Sequence, residues 1–123
     1  MLENGVIEET DSSYSSNVVV VRKKNGKGKG IDCLCVNLAL FNKVTIPDKY
    51  SLLNINEMFT NFYGAIIFTT LNLTTAYWQI KLRNKNKPKM AFLIRKGQYQ
   101  FRVMLFGLNN ILATFQKLIN KIL

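Results

Sequence analysis

Two apolar runs flank a short turn in the second half of the chain. They are Lys89-Met90-Ala91-Phe92-Leu93-Ile94-Arg95 and Gln98-Tyr99-Gln100-Phe101-Arg102-Val103-Met104, joined by Lys96-Gly97. In the second run Tyr99, Phe101 and Val103 alternate with polar residues, which is the side-chain period of a β-strand. Residues 89–95 and 98–104 are therefore predicted to form a hairpin.

Helices and one further strand are predicted on either side of this hairpin. A helix is expected after Asn109-Asn110, where apolar residues recur at helical spacing. Another is expected before Gly64, with Asn54 and Glu57 approximating a capping box at its start. Residues 66–73 are predicted to form a strand, and 77–82 a short extended or turn-bearing segment. The apolar positions of the two helices are Leu52, Ile55, Phe59, Phe62, Ile111, Phe115, Leu118 and Ile122.

The amino-terminal part contains a second candidate hairpin. Val18-Val19-Val20-Val21 is a β-branched run that predicts a buried strand. A basic tip with an Asn25-Gly26 turn signal follows, and residues 31–36 are predicted to return as the partner strand. Together with the helices, these strands predict an α+β fold.

The net charge of +10 is confined to one half of the chain. Residues 1–57 contain seven Lys or Arg and seven Asp or Glu, whereas residues 58–123 contain ten Lys or Arg and no acid. A polyanion such as nucleic acid is the natural partner for such a surface. A generic basic surface with no dedicated partner is the alternative.

Cysteine content and hydropathy narrow the class of protein. Cys33 and Cys35 are expected to point to opposite faces of a strand and to remain reduced thiols, in an intracellular protein of the cytoplasm or nucleus. Two cysteines without any histidine do not make a zinc site. No run approaches the roughly 18 apolar residues of a membrane span, and no signal peptide is evident.

Seven segments in series match short motif patterns and together cover nearly the whole chain. The segments, each with its pattern, are Leu2 to Ile7 ("LxxGxI"), Tyr14 to Gly26 ("SPVVLVKKKDG"), Cys35 to Thr45 ("CVDYRALNKVT"), Tyr50 to Ile55 ("YPLPRI"), Leu71 to Ile80 ("LDLxSGYHQI"), Lys89 to Phe92 ("KTAF") and Met104 to Gln116 ("MPFGLTNAPATFQ"). In these motifs, which lie in family order and close to family spacing, the chain resembles the reverse transcriptase domain of gypsy-type long-terminal-repeat retrotransposons.

The resemblance implies a partial right-hand polymerase fold, with a fingers hairpin and an incomplete palm sheet with packed helices. Residues 1–123 would be the amino-terminal part of the domain, ending before the "YxDD" motif. The implied chemistry is RNA-directed DNA synthesis, and the rest of a Pol polyprotein is an expected partner, together with an RNA template or RNA–DNA hybrid.

Polymerase chemistry in this family implies three carboxylates that hold two Mg²⁺ ions. The first is the Asp of "LDL", and here that position is Asn72. The other two belong to "YxDD", which the 123 residues do not contain. An amide carries no negative charge and cannot balance two magnesium ions. We therefore expect no cofactor and no metal site in this chain.

Other positions of the family's nucleotide pocket are retained or altered. Tyr77 matches the aromatic beneath the incoming sugar, Lys23 a triphosphate-contacting lysine, and Phe106 with Gly107 the pocket floor. Each also has a plain structural interpretation, as core aromatics or a solvated charge. The family's triphosphate-gripping arginine has no counterpart, and Gln100 replaces an acid.

Five cations recur at alternate positions, which would place them on one side of an extended segment, although Pro88 and nearby Asn residues favour a loop. They are predicted to contact nucleic-acid phosphates, with a solvated loop as the alternative. The five are Lys81, Arg83, Lys85, Lys87 and Lys89.

Three hypotheses for function remain. The leading one is a decayed or truncated copy of a retroelement polymerase without catalysis, since Asn25, Asn37 and Asn72 stand where the family pattern has Asp. The second is a retained, non-catalytic nucleic-acid-binding module. The third is an active polymerase completed by a continuing reading frame. Low solubility or partial folding is also expected, because an incomplete palm sheet leaves an open apolar face.

Overall fold

A computed structural model describes residues 1–24, 30–50 and 54–123 of the chain. Within these residues, five strands and three α-helices are joined by loops and by short 3₁₀ helices at Ala76–Gln79 and Lys87–Met90. The strands are β1 (Ile7–Glu9), β2 (Val18–Lys24), β3 (Gly30–Val36), β4 (Ala91–Ile94) and β5 (Gly97–Phe101). The helices are α1 (Ala39–Val44), α2 (Ile55–Asn61) and α3 (Ile111–Ile122). The predicted α+β class is confirmed.

The predicted hairpin around Lys96-Gly97 is confirmed, and it lies at the centre of the core. β4 pairs with β5 in antiparallel register, Phe92 opposite Tyr99. The alternation holds, since Tyr99, Phe101 and Val103 are all buried. The strands are shorter than predicted because Lys89 and Met90 belong to the 3₁₀ helix that contains Pro88, a residue that cannot donate to a ladder.

Strand β1 joins this sheet, and the sequence did not predict it. It pairs antiparallel with β5, with Glu8 opposite Gln100, in the order β1-β5-β4. Gln100 donates to the Glu8 carboxylate at 2.8 Å, and Thr10 donates to Gln100 at 2.8 Å. Gln100 therefore has a structural role, because its side chain joins β5 to Glu8 in β1 and to Thr10 just after it.

The amino-terminal hairpin is also confirmed, but the prediction that its first strand is buried is wrong, because Val19, Val20 and Val21 are 42–63% exposed. β2 and β3 form a separate two-stranded antiparallel sheet, with Val19 opposite Cys35 and Val21 opposite Cys33. Its tip, with the predicted Asn25-Gly26 turn, lies outside the described residues. Both cysteines are free thiols. The expectation that they point to opposite faces is wrong, because residues two apart in a regular strand share one face.

Both predicted helices form, and α1 is an additional one. The Asn54 side chain accepts a hydrogen bond from the backbone N–H of Asn56 at the start of α2, so the cap is real although its partner is one residue earlier than in a capping box. α3 begins after Asn110 and buries Ile111 and Ala113, while Ile122 near its end is exposed.

The strand predicted over residues 66–73 is absent. The chain there is irregular, and every residue from 54 to 75 is exposed. Ile66 and Ile67 are 94% and 87% exposed. An extended apolar segment becomes a strand only when a neighbouring strand accepts its backbone hydrogen bonds. None of the strands in the described part of the chain pairs with this segment, which is the one assigned to the palm by resemblance.

We predict that the isolated 123-residue chain melts without a single sharp transition and has low solubility. The sheet around Phe92 has a buried core, whereas every residue from 54 to 75 is exposed. Thermal melting followed by circular dichroism, with light scattering of the same sample, measures both properties. A sharp, cooperative melt of monomeric protein would contradict this expectation.

Candidate nucleotide and nucleic-acid site

Two of the residues predicted for the nucleotide pocket are in contact. The ring of Tyr77 meets the ring of Phe106 edge-on, with centroids 4.9 Å apart, and the ring of Phe115 at 5.4 Å. Tyr77 is half-buried, whereas Phe106 is 67% exposed. The three rings form an aromatic cluster between the 3₁₀ helix Ala76–Gln79 and α3, with one side open to solvent. Such a surface suits stacking against a sugar or base.

Gly107, the third predicted pocket residue, occupies a turn that only glycine adopts easily. Its φ of +90° lies in the region that side chains disfavour. The Asn42 side chain donates to the Gly107 carbonyl at 2.6 Å and accepts from the backbone N–H of Asn109 at 3.1 Å. One amide on α1 thus fixes the backbone immediately beyond Phe106.

A second polar tie holds the segment after α1 against α3. The Asn110 side chain donates to the Ile46 carbonyl at 2.9 Å and accepts from the Asp48 N–H at 2.8 Å. The Lys117 ammonium donates to the Asp48 carboxylate. That hydrogen bond, partly offset by desolvation and aided by the positive charge of Lys117, lowers the pKa of Asp48 from its ordinary value.

The sequence did not predict Asn42 and Asn110 as residues of this site. Both match amides of the family patterns, Asn42 in "LNKVT" and Asn110 in "LTNAP", so retained identity was the available signal. Local periodicity does not reveal them, because their partners lie 65 and 64 residues away along the chain.

We predict that Asn42→Ala loosens the Gly107 turn without unfolding the sheet. Removing the amide deletes hydrogen bonds to Gly107 and Asn109, each worth about 1 kcal/mol net. Hydrogen exchange of the Asn109 amide should accelerate roughly tenfold, whereas the amides of β5 should be unaffected. Unchanged exchange at Asn109 would show that the turn is held by other contacts.

Asn72 lies in an exposed, irregular stretch, four residues before the 3₁₀ helix that carries Tyr77. Between them Thr75 has a positive φ of 48°, a strained conformation for a β-branched residue. Among the described residues there is no group of three Asp, Glu, Cys or His side chains able to hold a metal ion. The residues around Asn72 therefore do not fit a magnesium centre.

Lys23 lies in β2, opposite Ile31, but its side chain is outside what the structure describes. The backbone position agrees with the fingers hairpin implied by the resemblance. Its role toward a triphosphate stays a prediction.

The five basic residues do not form one extended row. Lys81 pairs in an isolated bridge with Val103, residues 84–86 form a turn, and Lys87 and Lys89 lie in a 3₁₀ helix. Four of the five are exposed. Lys87 differs, since its side chain is 19% exposed and its ammonium lies 3.8 Å from the Glu8 carboxylate. The charge of Lys87 is therefore partly neutralised by an ion pair within the protein.

A cleft of about 620 Å³ opens beside this basic segment. Asn86 and Lys89 of the basic segment are among the residues that line it. The cleft lies between α1, the 3₁₀ helix Lys87–Met90 and the loop after β5. Its apolar lining includes Phe41, Leu82, Met90, Met104 and Leu108.

None of the helices in residues 1–24, 30–50 and 54–123 has the length and apolar character that crossing a membrane requires.

Comparison with known proteins connects these features. Residues 21–123 match the family "Reverse transcriptase (RNA-dependent DNA polymerase)". The chain is 37% identical over its whole length to the retrovirus-related Pol polyprotein from transposon opus of Drosophila melanogaster, of which it covers 12%. It is 39% identical, over 73% of its length, to an RNA-directed DNA polymerase homolog of Oenothera berteroana, of which it covers 63%.

The fold agrees with a solved reverse transcriptase. The foamy viral protease-reverse transcriptase, determined in complex with dsDNA, superposes with a TM-score of 0.74 at 18% identity. The match covers 99% of this chain and 25% of that one. It supports the partial polymerase fold that the sequence predicted, although the strand over residues 66–73 does not form. On the family match and the full-length similarity to transposon Pol polyproteins, the chain belongs to the reverse transcriptase family.

Proposed function

We propose that this chain is the amino-terminal fingers and palm part of a retrotransposon reverse transcriptase domain, that it does not catalyse DNA synthesis by itself, and that it retains contacts to nucleic acid. The observation that carries the lack of catalysis is chemical. Residues 58–123 contain no Asp or Glu, and the family's first catalytic acid is replaced by Asn72.

The neutral side chain of Asn72 lacks the negative charge that the metal ions of the family's reaction require from their ligands. Magnesium selects oxygen ligands, mostly carboxylates, whose charge offsets its own. An amide offers one carbonyl oxygen and no charge. With no other acid after Glu57, no neighbour in this half of the chain replaces the missing carboxylate. We therefore derive no step of nucleotidyl transfer for this chain.

Nucleic-acid contact is supported by the distribution of charge. Four exposed cations lie within nine residues, one of them, Lys89, lines the cleft, and residues 58–123 contain no acid. The aromatic cluster of Tyr77, Phe106 and Phe115 adds an open stacking surface. Contacts of this kind bind the backbone and give affinity without reading sequence. The ligand we propose is an RNA–DNA hybrid.

We predict that replacing the four exposed cations by glutamine weakens binding of an RNA–DNA hybrid and flattens its salt dependence. Each phosphate contact contributes about 0.7–0.9 to the slope of log affinity against log salt, so losing four lowers the magnitude of the slope by up to about 3.6. Fluorescence anisotropy at several salt concentrations measures both quantities. The four are Lys81, Arg83, Lys85 and Lys89.

A charge-matched control distinguishes a site from general attraction. Replacing four other exposed cations by glutamine removes the same charge from elsewhere on the surface, and it should change the slope much less. These are Lys43, Lys49, Arg95 and Lys121. Lys87→Gln should also have a small effect, because that ammonium already faces Glu8. An equal loss of affinity in both quadruple variants would show that binding depends on total charge and not on these four positions. No binding by the unaltered chain near physiological salt would end the proposal.

A further inference from the structure

The β2–β3 hairpin presents two thiols on one face. Cys33 and Cys35 are two residues apart in the regular strand β3, each directly opposite a residue of β2. Side chains at this spacing point to the same side of a sheet. Cys33 is half-buried, Cys35 is exposed, and both are free thiols. Neither thiol belongs to the aromatic cluster, the cleft or the basic segment.

The environment of this thiol pair is apolar. The residues opposite the two cysteines are Val21 and Val19, which are 42% and 52% exposed. The nearest acid in sequence, Asp32, lies on the other face, where it accepts a hydrogen bond from Arg22 at 3.0 Å. The described cross-strand neighbours of the two thiols, Val19 and Val21, offer no oxygen ligand to a hard cation. Thiolates are the ligands that soft cations select.

The spacing favours a bridge longer than a disulfide. Two residues apart in an antiparallel strand, Cα atoms are separated by about 6.8 Å, which is the upper limit for a disulfide. A disulfide also demands sulfur atoms about 2.0 Å apart. An ion bound linearly by two thiolates, with metal–sulfur bonds close to the roughly 2.3 Å of a zinc–thiolate bond, spans more than about 4 Å between the sulfurs. Parallel side chains on a flat strand reach this sulfur–sulfur distance more readily than the roughly 2.0 Å of a disulfide.

We propose that Cys33 and Cys35 form a two-thiolate site for a soft monovalent cation of the Cu(I) type. On binding, both thiols release their protons to solvent and two Cu–S bonds form, leaving an anionic dithiolate complex with no change of oxidation state. The site is distinct from a zinc centre, which needs four ligands. It is also independent of the nucleic-acid surface, since no residue is shared.

The test is anaerobic titration of the reduced full chain with Cu(I), in competition with a chromophoric Cu(I) chelator and with native mass spectrometry of the product. One Cu(I) per chain is expected. Cys33→Ser and Cys35→Ser should each weaken binding by at least about 100-fold, since even outer-shell partners of metal ligands contribute 10- to 100-fold. Asp32→Asn, on the opposite face, should leave the affinity unchanged.

A variant with the same number of thiols in a different arrangement tests whether their placement on one face matters. Leu34→Cys combined with Cys35→Ser keeps two thiols but places them on opposite faces of β3, and it should bind no better than the single serine variants. Equal binding by this variant and the unaltered chain would overturn the proposal. So would one Cu(I) shared between two chains, or a disulfide between Cys33 and Cys35 as the only product. Circular dichroism of each variant confirms that the sheet content is unchanged.

Discussion

Asn72→Asp, in a longer chain that continues through the two acids of the "YxDD" turn, is expected to raise metal-dependent primer extension by at least about 1,000-fold. A bound metal ion contributes several kcal/mol of charge stabilisation in the transition state, and each 1.36 kcal/mol changes the rate tenfold. The carboxylate restores both an oxygen ligand and a negative charge at the position where the chain has an amide.

Two controls make this result specific. Asn37→Asp introduces the same change at a position where the family pattern also has Asp, and we expect a much smaller gain because that position is not one of the three metal ligands. Primer extension with Mg²⁺ withheld should be zero for all variants. If the Asn72 form of the longer chain polymerises as well as the Asp form, the catalytic argument is wrong. Nucleotide incorporation by the unaltered 123-residue chain, free of contaminating enzyme, would overturn it as well.

Phe92→Ala is expected to destabilise the β1-β5-β4 sheet by about 3–5 kcal/mol. The Phe92 side chain is 1% exposed, and its ring lies 4.9 Å from that of Phe101 and 6.2 Å from that of Tyr99. Its removal leaves a cavity where three aromatic side chains meet. Whole domains have only about 5–15 kcal/mol of stability, so we expect the core to be largely lost.

Native-state hydrogen exchange of the β5 amides measures this loss without requiring a cooperative melt of the whole chain. A destabilisation of 3 kcal/mol or more lowers their protection at least about a hundredfold, at 1.4 kcal/mol for each tenfold. Leu93→Ala is the matched control, since the next residue of β4 is 62% exposed. It should change protection severalfold at most. Similar protection in both variants would show that the β4–β5 hairpin is not the core.

The sequence by itself determined the elements whose signal is local. The hairpin around Lys96-Gly97 and α3 follow from side-chain periodicity, which records the face that each element buries. The β2–β3 hairpin follows from a β-branched run next to a turn signal. The charge asymmetry and the replacement of an acid by Asn72 are likewise properties of the chain, whatever its conformation. The motif series was enough to predict the family.

Only the tertiary structure decided which distant groups meet. β1 has three residues and is a strand because β5, some 90 residues later, accepts and donates its backbone hydrogen bonds. The ion pair with Glu8 makes Lys87 a poorer phosphate ligand than the sequence predicted. Asn42 donates a hydrogen bond to the carbonyl of Gly107, 65 residues later in the chain. Residues 66–73 have strong strand propensity yet stay irregular. The physical reason is the same in each case: a strand, an ion pair or an anchored turn exists only when its partner is present, and the partner is not encoded in the neighbouring residues.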